Sequence, residues 1–330
     1  MSIGIVAIGR NEGERLRVCL ESCLRSAEDV VYVDSGSSDG SCELARSLSV
    51  HVVELDTDRP FSAARARNAG FEFMRAQRPD LDFVQFVDGD CELDSDWIEA
   101  ASVAMLDSGL AVVCGRRRER FPERSIYNRL CDMEWDTAVG QAEACGGDSL
   151  IRAAAFSAVG GFDDAVVAGE EPDLCLRLRQ QGWQIRRLDA EMTLHDADMM
   201  RFSQWWTRML RAGHAYAEGV DRHGVKEHAH YGRNLRSSVF WGGALPVLSL
   251  GLWPFSSWAL WLWLAGWGAL TLRIYRSGVK PGFSPGARFS YALSSTVGKL
   301  PSFLGVALYS IRKLLARPSH PIEYKDSTSN

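Results

Sequence analysis

Four of the last seven residues are acidic in FVQFVDGDCELD, the stretch from Phe83 to Asp94, although this stretch begins as an apolar run. Asp88 and Asp90 are separated by one glycine, and two such carboxylates can hold a hard divalent cation, Mg²⁺ or Mn²⁺, through oxygen ligands. Gly89 would let the backbone turn so that both carboxylates face one side. The alternative is a buried strand that runs into a polar surface loop.

A second acidic cluster lies in GEEPDLCLRLRQQGW, where Glu170, Glu171 and Asp173 begin a predicted helix whose first turn tolerates Pro172. The helix dipole stabilises negative charge there, which is a purely structural explanation for each residue. Three carboxylates within four residues exceed what capping requires, and we expect Glu171 to act as a base toward an incoming hydroxyl group. His195, in EMTLHDAD, is a candidate for a third metal ligand; an ordinary surface histidine is the alternative.

The elements that must position these residues alternate along the first part of the chain. The apolar runs IGIVAIG, VVYVD, VHVVEL, DFVQFVD and LAVVCG are separated by segments with a helical period. This pattern predicts an α/β fold, with a Rossmann-like, mostly parallel sheet and helices on both faces. In such sheets ligands bind outside the carboxyl ends of the strands, where VVYVD would deliver Asp34 and DFVQFVD would deliver Asp88. Asp34 can also be explained as a turn residue, because DSGSSDG is rich in turn formers.

The last part of the chain is different in character. The segment Val239 to Leu272 contains no charged residue, and six tryptophans lie between Trp241 and Trp267. A run of this length predicts a transmembrane segment, either one tilted span or a hairpin broken near Pro254; a buried core helix is the alternative. Basic residues on both sides favour the hairpin with both ends cytoplasmic. We therefore predict an α/β domain over residues 1–230 and a membrane-anchoring or interfacial helical region over 231–330.

The composition argues against a nucleic-acid-binding protein, a zinc protein and a secreted protein. The formal net charge of the 330-residue chain is −5, which gives no indication of nucleic-acid binding. The eight cysteines are scattered and form no paired C-x-x-C motifs, which argues against a zinc site. The N-terminus, MSIGIVAIGRNE, reaches its charged residues too early for a signal peptide and lacks the basic region that opens one, so reduced thiols and a cytosolic compartment are expected.

Five pieces of the sequence together resemble the family 2 glycosyltransferases, which are inverting enzymes with the GT-A fold. They are VAIGRNE, VVYVDSGSSDGS, ARNAG, FVDGD and GGFDDAVVAGEEPDLCLRLRQQGW. Each piece is modest, but five in this order are specific. The resemblance covers about Ser2 to Val220.

The resemblance implies roles for residues around the donor nucleotide. The segment Ala7 to Glu12 and Asp34 would contact the nucleotide base and ribose. Arg67, in the ARNAG piece, would lie near the nucleotide. Asp88 and Asp90 would be the D-x-D pair.

The resemblance also implies the metal ligands and the catalytic base. Asp90 would be the direct metal ligand, and His195 matches a histidine that binds the metal in some members. Glu171 occupies the second acidic position of the family's E-D motif and would be the base. Glutamate in place of the usual aspartate lengthens the reach and keeps the chemistry.

These inferences predict an inverting, Mn²⁺- or Mg²⁺-dependent glycosyltransferase. It would move a sugar from a nucleotide-diphosphate sugar to a hydroxyl acceptor, with a lipid-linked acceptor in exopolysaccharide or envelope glycan assembly, at the cytoplasmic face of the inner membrane. One alternative is a sugar nucleotidyltransferase, although IGRNEGERL lacks the glycine-rich, basic loop expected for a triphosphate. The other is a non-catalytic membrane scaffold of the same fold, against which the intact acidic residues argue.

Overall fold

The computed structural model of the chain describes residues 1–56, 58–166, 168–227, 229–277 and 282–315. The chain divides into two compact units. The first consists of Met1–Phe121 and Glu134–Asp198, and the second of Pro122–Met133 and Met199–Asn330. The predicted domain boundary after residue 230 remains a prediction.

Within the described residues, nine strands of the first unit form one sheet. The strands are β1 (Ile3–Gly9), β2 (Asp29–Asp34), β3 (His51–Glu54), β4 (Phe83–Asp88), β5 (Cys91–Leu93), β6 (Leu110–Glu119), β7 (Gly140–Gln141), β8 (Ser149–Arg152) and β9 (Gln184–His195). Their order in the sheet is β3-β2-β1-β4-β8-β6-β9-β5, and β7 pairs with β9.

The sheet is mixed, which corrects the prediction of a mostly parallel sheet. Strands β3, β2, β1 and β4 are parallel, as the alternation of strands and helices requires. Beyond β4, strand β8 is antiparallel to both β4 and β6, and β9 is parallel to β6 but antiparallel to β5 and β7. The alternation stops at β4, because β5 begins only three residues after β4 ends and no crossover helix separates them.

Helices pack on both faces of this sheet. Successive side chains of a strand point to opposite faces, so Val6 and Ile8 belong to one buried cluster while Ile5 and Ala7 belong to another. Helix α3 contributes to the first cluster, and α1 and α4 contribute to the second. The helices are α1 (Glu14–Ser26), α2 (Ser41–Ser47), α3 (Ala63–Gln77), α4 (Trp97–Ala104), α6 (Ala153–Ala158) and α7 (Glu170–Gln180), while α5 (Ile126–Trp135) spans the change of unit.

The register of the parallel strands brings the predicted acidic residues to one edge. Asp34, the last residue of β2, is the partner of Gly9 in β1. Asp88, the last residue of β4, is the partner of Ile8 in β1. Because the three strands end at the same level, both carboxylates lie at the carboxyl edge of the sheet, where ligands bind in folds of this kind.

The described part of the second unit is helical. Helix α8 (Phe202–Glu227) contains a break at Gly224, whose φ of 81° and ψ of 161° are not helical. The elements that follow α8 are α9 (Ala229–Ser238), a π-helix (Val239–Ala244), α10 (Leu245–Leu252), α11 (Trp258–Arg276), α12 (Pro285–Val297) and α13 (Lys299–Leu314).

The structure does not support the predicted membrane-spanning segment. The uncharged run from Val239 to Leu272 is divided into the π-helix, the eight-residue α10 and α11, with a non-helical break between α10 and α11. An eight-residue helix is only about 12 Å long, far less than the roughly 30 Å of a hydrocarbon core. Among the described residues, no helix combines the length and apolarity that crossing a membrane requires.

Two glycines let helices α8 and α13 approach each other closely. A β-carbon on Gly213 would lie 1.9 Å from the backbone oxygen of Ser302, and one on Gly305 would lie 2.0 Å from the backbone oxygen of Leu210. Backbone atoms cannot move aside as the end of a flexible side chain can. The packing of these two helices therefore depends on the absence of side chains at both positions.

We expect Gly213→Ala to lower the free energy of unfolding by about 1–3 kcal/mol, because the added methyl group forces the two helix backbones apart. The matched control is Gly251→Ala in α10, where a β-carbon would meet nothing within 4 Å. The control should be neutral or stabilising by up to about 1 kcal/mol, since alanine favours helix more than glycine does. Thermal unfolding of both variants measures the difference, and equal melting temperatures would contradict this account of the packing.

Candidate active site

Asp34 is buried at the end of β2 and shapes the loop that follows. Its Oδ2 accepts hydrogen bonds from the backbone N–H groups of Gly36 (2.9 Å) and Ser37 (2.8 Å). Its Oδ1 accepts a hydrogen bond of 2.9 Å from the hydroxyl group of Tyr32. Burial and the negative charge of Asp34 raise the pKa of Tyr32, so this hydroxyl keeps its proton and acts as a donor. Asp34 thus fixes the conformation of a loop at the carboxyl edge of the sheet.

Glu12 lies against the glycine of the D-G-D stretch. A β-carbon on Gly89 would lie 3.3 Å from Cγ of Glu12 and 3.0 Å from the backbone oxygen of Ile8. Glu12 also forms an ion pair of 2.9 Å with Arg15. By contrast, the Ala7 side chain is fully buried in the apolar core, and its backbone lies inside the sheet, in register with Tyr32 of β2 and Val87 of β4. The predicted nucleotide contact of Ala7 stays a prediction.

Asp88 lies between two arginines. Arg67 donates to Oδ1 at 2.7 Å, and Arg117 donates to Oδ2 at 3.1 Å. Burial favours the neutral carboxyl group, but the two guanidinium charges outweigh it and lower the pKa of Asp88. The buried Asp148 holds this arrangement in place. Its Oδ1 accepts a hydrogen bond of 2.9 Å from the backbone N–H of Asp88, and its Oδ2 accepts one of 2.9 Å from Arg117. Gly147 is equally constrained, since a β-carbon there would lie 2.7 Å from Nη2 of Arg67.

Asp90 and His195 form a buried carboxylate–imidazole pair. The antiparallel pairing of β5 with β9 sets Cys91 opposite His195, so Asp90 lies beside the histidine. Nε2 of His195 is 3.3 Å from Oδ2 of Asp90, and Nδ1 is 3.8 Å from Oε2 of Glu119. Burial lowers the pKa of His195, but the negative charge of Asp90 outweighs burial and raises the pKa. The Trp135 ring meets the imidazole edge-on at a centroid distance of 4.6 Å.

Two of the three acidic residues at the start of α7 are held by arginines. Gly169 precedes the helix with a φ of 89°, a left-handed conformation that glycine adopts without strain. Glu170 accepts a hydrogen bond of 3.0 Å from Arg67. Asp173 accepts one of 2.8 Å from Arg177, four residues further along the helix.

Glu171 has different partners. Its Oε1 accepts hydrogen bonds from the backbone N–H of Cys145 and from the thiol of Cys175, the latter at 3.3 Å. The two cysteine sulfurs are 3.5 Å apart. No arginine holds this carboxylate among the contacts within the described residues, which distinguishes it from Glu170 and Asp173.

Residues 3–149 match the protein family described as Glycosyl transferase family 2. This segment is therefore similar to the family 2 glycosyltransferases. The match includes Asp34, Arg67, Asp88 and Asp90, and it ends before α7 and His195.

Several known proteins are similar to this chain. Glycosyltransferase AglE of Haloferax volcanii is 24% identical over 216 residues, which cover 62% of this chain and 69% of AglE. Succinoglycan biosynthesis protein ExoA of Rhizobium meliloti is 27% identical over 173 residues, 48% of this chain and 51% of ExoA. The mannosyltransferase PcManGT of Pyrobaculum calidifontis, solved with GDP-Man and Mn²⁺, superposes with a TM-score of 0.59 over 94% of this chain and 87% of that one, at 15% identity. This likeness shows a GT-A-like fold.

The buried carboxylate–imidazole pair offers a donor set that fits a divalent cation. Asp90 and His195 present an oxygen and a nitrogen 3.3 Å apart, which is close to the spacing of two neighbouring ligands on one ion. Both oxygens of Asp88, in contrast, already accept hydrogen bonds from arginines. Of the residues predicted to bind metal, Asp90 and His195 therefore fit as ligands of a cation. The carboxylate of Asp88 is instead engaged by Arg67 and Arg117.

Sequence reasoning missed several residues of this site. Arg117 and Asp148 hold Asp88, and Glu119 and Trp135 contact His195. A run of three arginines at the end of an apolar strand, RRR after LAVVCG, is the one signal that could have indicated Arg117. The other three are brought in by pairings between distant segments, which carry no local pattern.

Proposed function

We propose that the chain is an inverting glycosyltransferase that moves a sugar from a nucleotide-diphosphate sugar to a hydroxyl acceptor. The observation that carries this proposal is the position of Arg67, whose guanidinium group contacts both Asp88 and Glu170. Glu170 directly precedes Glu171, so one buried arginine connects the D-x-D stretch to the helix start that carries the proposed base. A donor site and a base at a single sheet edge are what this reaction requires.

The donor would bind at the carboxyl ends of β1, β2 and β4. The loops after β1 and β2 are joined, because Asn11 donates from its backbone to Ser37 and accepts at its side chain from the backbone of Ser38. Together with Asp34 and Glu12, these loops would hold the nucleoside. Arg67 would lie beside the diphosphate, where its charge is balanced by Asp88 before the donor arrives.

Asp90 and His195 would hold the cation, Mn²⁺ or Mg²⁺, which when bound neutralises charge on the leaving diphosphate. The Mn²⁺ in the PcManGT structure supports this proposal. Glu119 faces the other imidazole nitrogen of His195 and would keep the metal-binding nitrogen oriented.

Glu171 would take the proton of the acceptor hydroxyl group. The hydroxyl must attack the anomeric carbon from the face opposite the diphosphate, which inverts the configuration. The carboxylates of Glu170 and Asp173 are held by arginines, and Glu171 is positioned by Cys145 and Cys175. It is therefore the member of the trio best placed to accept a proton.

Turnover of a panel of UDP-, GDP- and dTDP-linked sugars with Mn²⁺ and lipid extract tests the proposal. We expect the release of a nucleoside diphosphate and the appearance of a glycosylated acceptor with inverted anomeric configuration. Release of pyrophosphate from a nucleoside triphosphate and a sugar phosphate would instead identify a nucleotidyltransferase. No turnover of any donor, with donors bound, would favour the scaffold.

We further propose that the second unit holds the enzyme on the cytoplasmic face of the inner membrane, next to a lipid-linked acceptor. Large apolar side chains around the break between α10 and α11 are exposed, including Phe255 (86%) and Trp258 (74%). Residues 199–330 also contain 16 Lys and Arg against 5 Asp and Glu, although the whole chain is acidic. Exposed tryptophan and phenylalanine beside a basic segment match an anionic lipid surface. ExoA, which is similar to part of this chain, is named as a succinoglycan biosynthesis protein, and this name supports an acceptor in exopolysaccharide or envelope glycan assembly.

We expect the full chain to float with vesicles that contain phosphatidylglycerol and to bind less at high salt, because part of the attraction is electrostatic. The double variant Phe255→Asp/Trp258→Asp should reduce the bound fraction about tenfold or more, since two large side chains contribute roughly 1.5–3 kcal/mol each. The matched control is Val103→Asp/Leu106→Asp, which alters two exposed apolar residues of the first unit. Wild-type protein that stays in the aqueous fraction would remove the membrane proposal.

A further inference from the structure

Two cysteines and the proposed base form a compact group of potential metal ligands. Glu171 and Cys175 are four residues apart in α7 and therefore lie on one face of the helix. Cys145 comes from the loop that precedes β8 and reaches the same point. One ligand atom from each of the three residues lies within 4.8 Å of the other two. No local pattern indicates this grouping, because no two of these residues form a C-x-x-C pair.

The distances within the group match those of a tetrahedral site. With metal–sulfur bonds of about 2.3 Å and a metal–oxygen bond of about 2.0 Å, two sulfurs on one ion are about 3.8 Å apart and a sulfur and an oxygen about 3.5 Å. The corresponding distances are 3.5 Å between the two sulfurs and 3.3 Å between Cys175 Sγ and Glu171 Oε1. Small outward movements would admit an ion. A disulfide would instead require the sulfurs to contract to about 2.05 Å.

The group is also reachable from solvent. Cys175 is buried in α7, whereas Cys145 is half-buried and its sulfur lies beside Ser149 Oγ at 3.5 Å. Three protein ligands leave one position of a tetrahedron for water. An ion could therefore enter past Cys145 without disrupting the helix.

We propose that Cys145, Glu171 and Cys175 form a binding site for a thiophilic divalent cation, Zn²⁺, and that an ion bound there inhibits transfer. Two sulfurs and one carboxylate oxygen select Zn²⁺ over Mg²⁺ and Mn²⁺, which prefer all-oxygen or oxygen–nitrogen sites. The inhibition rests on the proposed function, because the ion would occupy Oε1 of the carboxylate that must accept the acceptor's proton. The binding itself does not depend on that function.

Binding exchanges protons for the ion. The hydrogen bond with Cys175 lowers the pKa of Cys145, but burial and the charge of Glu171 outweigh it and raise that pKa. The hydrogen bond with Cys145, burial and Glu171 all raise the pKa of Cys175. Both thiols therefore carry protons at neutral pH, and an entering Zn²⁺ releases two protons to solvent as two metal–sulfur bonds form. Affinity should rise with pH for this reason.

The binding test uses Cd²⁺ as a spectroscopic substitute for Zn²⁺, with the full chain kept reduced by a phosphine. We expect one thiolate-to-metal charge-transfer band per chain, displaced by Zn²⁺. Cys145→Ser and Cys175→Ser should each weaken Cd²⁺ binding by at least about 100-fold. Loss of a residue that only hydrogen-bonds to a metal ligand already weakens binding by up to about 100-fold, and loss of a ligand itself should weaken it further. The matched control, Cys23→Ala in α1, removes another buried thiol and should keep the band. No band in the wild type, or a band unchanged in both serine variants, overturns the proposal, as does a disulfide between the two cysteines in protein purified without reductant.

The inhibition test measures transfer in excess Mn²⁺ with increasing Zn²⁺, each variant relative to its own rate without Zn²⁺. We expect Cys145→Ser to need at least tenfold more Zn²⁺ for half-inhibition than wild type. Equal inhibition of all variants would place the Zn²⁺ effect elsewhere, for example at Asp90 and His195, and would overturn the inhibitory role. If no variant transfers sugar but the Cd²⁺ band behaves as expected, the proposed function fails and the metal site stands.

Discussion

Asp90→Ala is expected to reduce sugar transfer by at least about 10³-fold, because a metal ion supplies several kcal/mol of charge stabilisation and each 1.4 kcal/mol is about a factor of ten. Asp90 and His195 are the carboxylate–imidazole pair that fits a cation, and His195 alone would retain Mn²⁺ poorly. The loss of the free Mn²⁺ signal in electron paramagnetic resonance measures binding directly. We expect the wild type to bind one Mn²⁺ per chain and Asp90→Ala to bind none at the same concentration.

The matched control for Asp90→Ala is Glu92→Ala. Glu92 lies two residues further along the same D-G-D-C-E stretch and forms surface ion pairs with Arg25 and Arg120. Loss of such pairs costs about 0–1 kcal/mol, so transfer and Mn²⁺ binding should change little. Undiminished transfer by wild-type protein in the presence of a chelator would contradict metal dependence altogether.

Glu171→Gln is expected to slow transfer by about 10²-fold or more while donor binding stays near the wild-type value, since glutamine keeps the shape of glutamate but cannot accept the proton. Its amide oxygen can still accept the hydrogen bonds from Cys145 and Cys175. Isothermal titration with the donor that turns over, and single-turnover transfer, separate binding from chemistry.

Glu170→Gln is the comparison variant for Glu171→Gln. It weakens the ion pair with Arg67, so we expect an effect on donor affinity rather than on the rate of the bound complex. If Glu171→Gln instead abolishes donor binding and the residual complex reacts normally, Glu171 is a binding residue. The base would then be Glu170 or Asp173, and one of the arginine contacts described above would have to break during the reaction.

The sequence predicted those parts of the fold that depend on local pattern. The alternation of strands and helices from β1 to β4 gave the parallel half of the sheet, and the strand ends gave the positions of Asp34 and Asp88 at one edge. The glycine between Asp88 and Asp90 was expected to let the backbone turn; the structure shows a different requirement, because a β-carbon there would lie 3.0 Å from the backbone oxygen of Ile8 and 3.3 Å from Cγ of Glu12.

The remainder depends on contacts between segments that are far apart in the chain. No local pattern indicates that β8 enters antiparallel between β4 and β6, or that Asp148 would hold Asp88. The uncharged segment 239–272 was misjudged for a related reason. Its composition resembles that of a membrane span, but the chain turns between α10 and α11, and hydropathy alone does not reveal this turn.

The pairing of β5 with β9 has a consequence for how the protein folds. Asp90 and His195 become neighbours only when these two strands have joined, which closes a loop of about 100 residues and is slow because of its entropy cost. Strands β1, β2 and β3 can pair earlier, because their partners are only 20 to 25 residues apart in sequence. Metal affinity should therefore appear after these strands have paired. A shift of one residue between β5 and β9 would turn the imidazole to the opposite face of the sheet. The cation site thus serves as a kinetic marker of the pairing of β5 with β9.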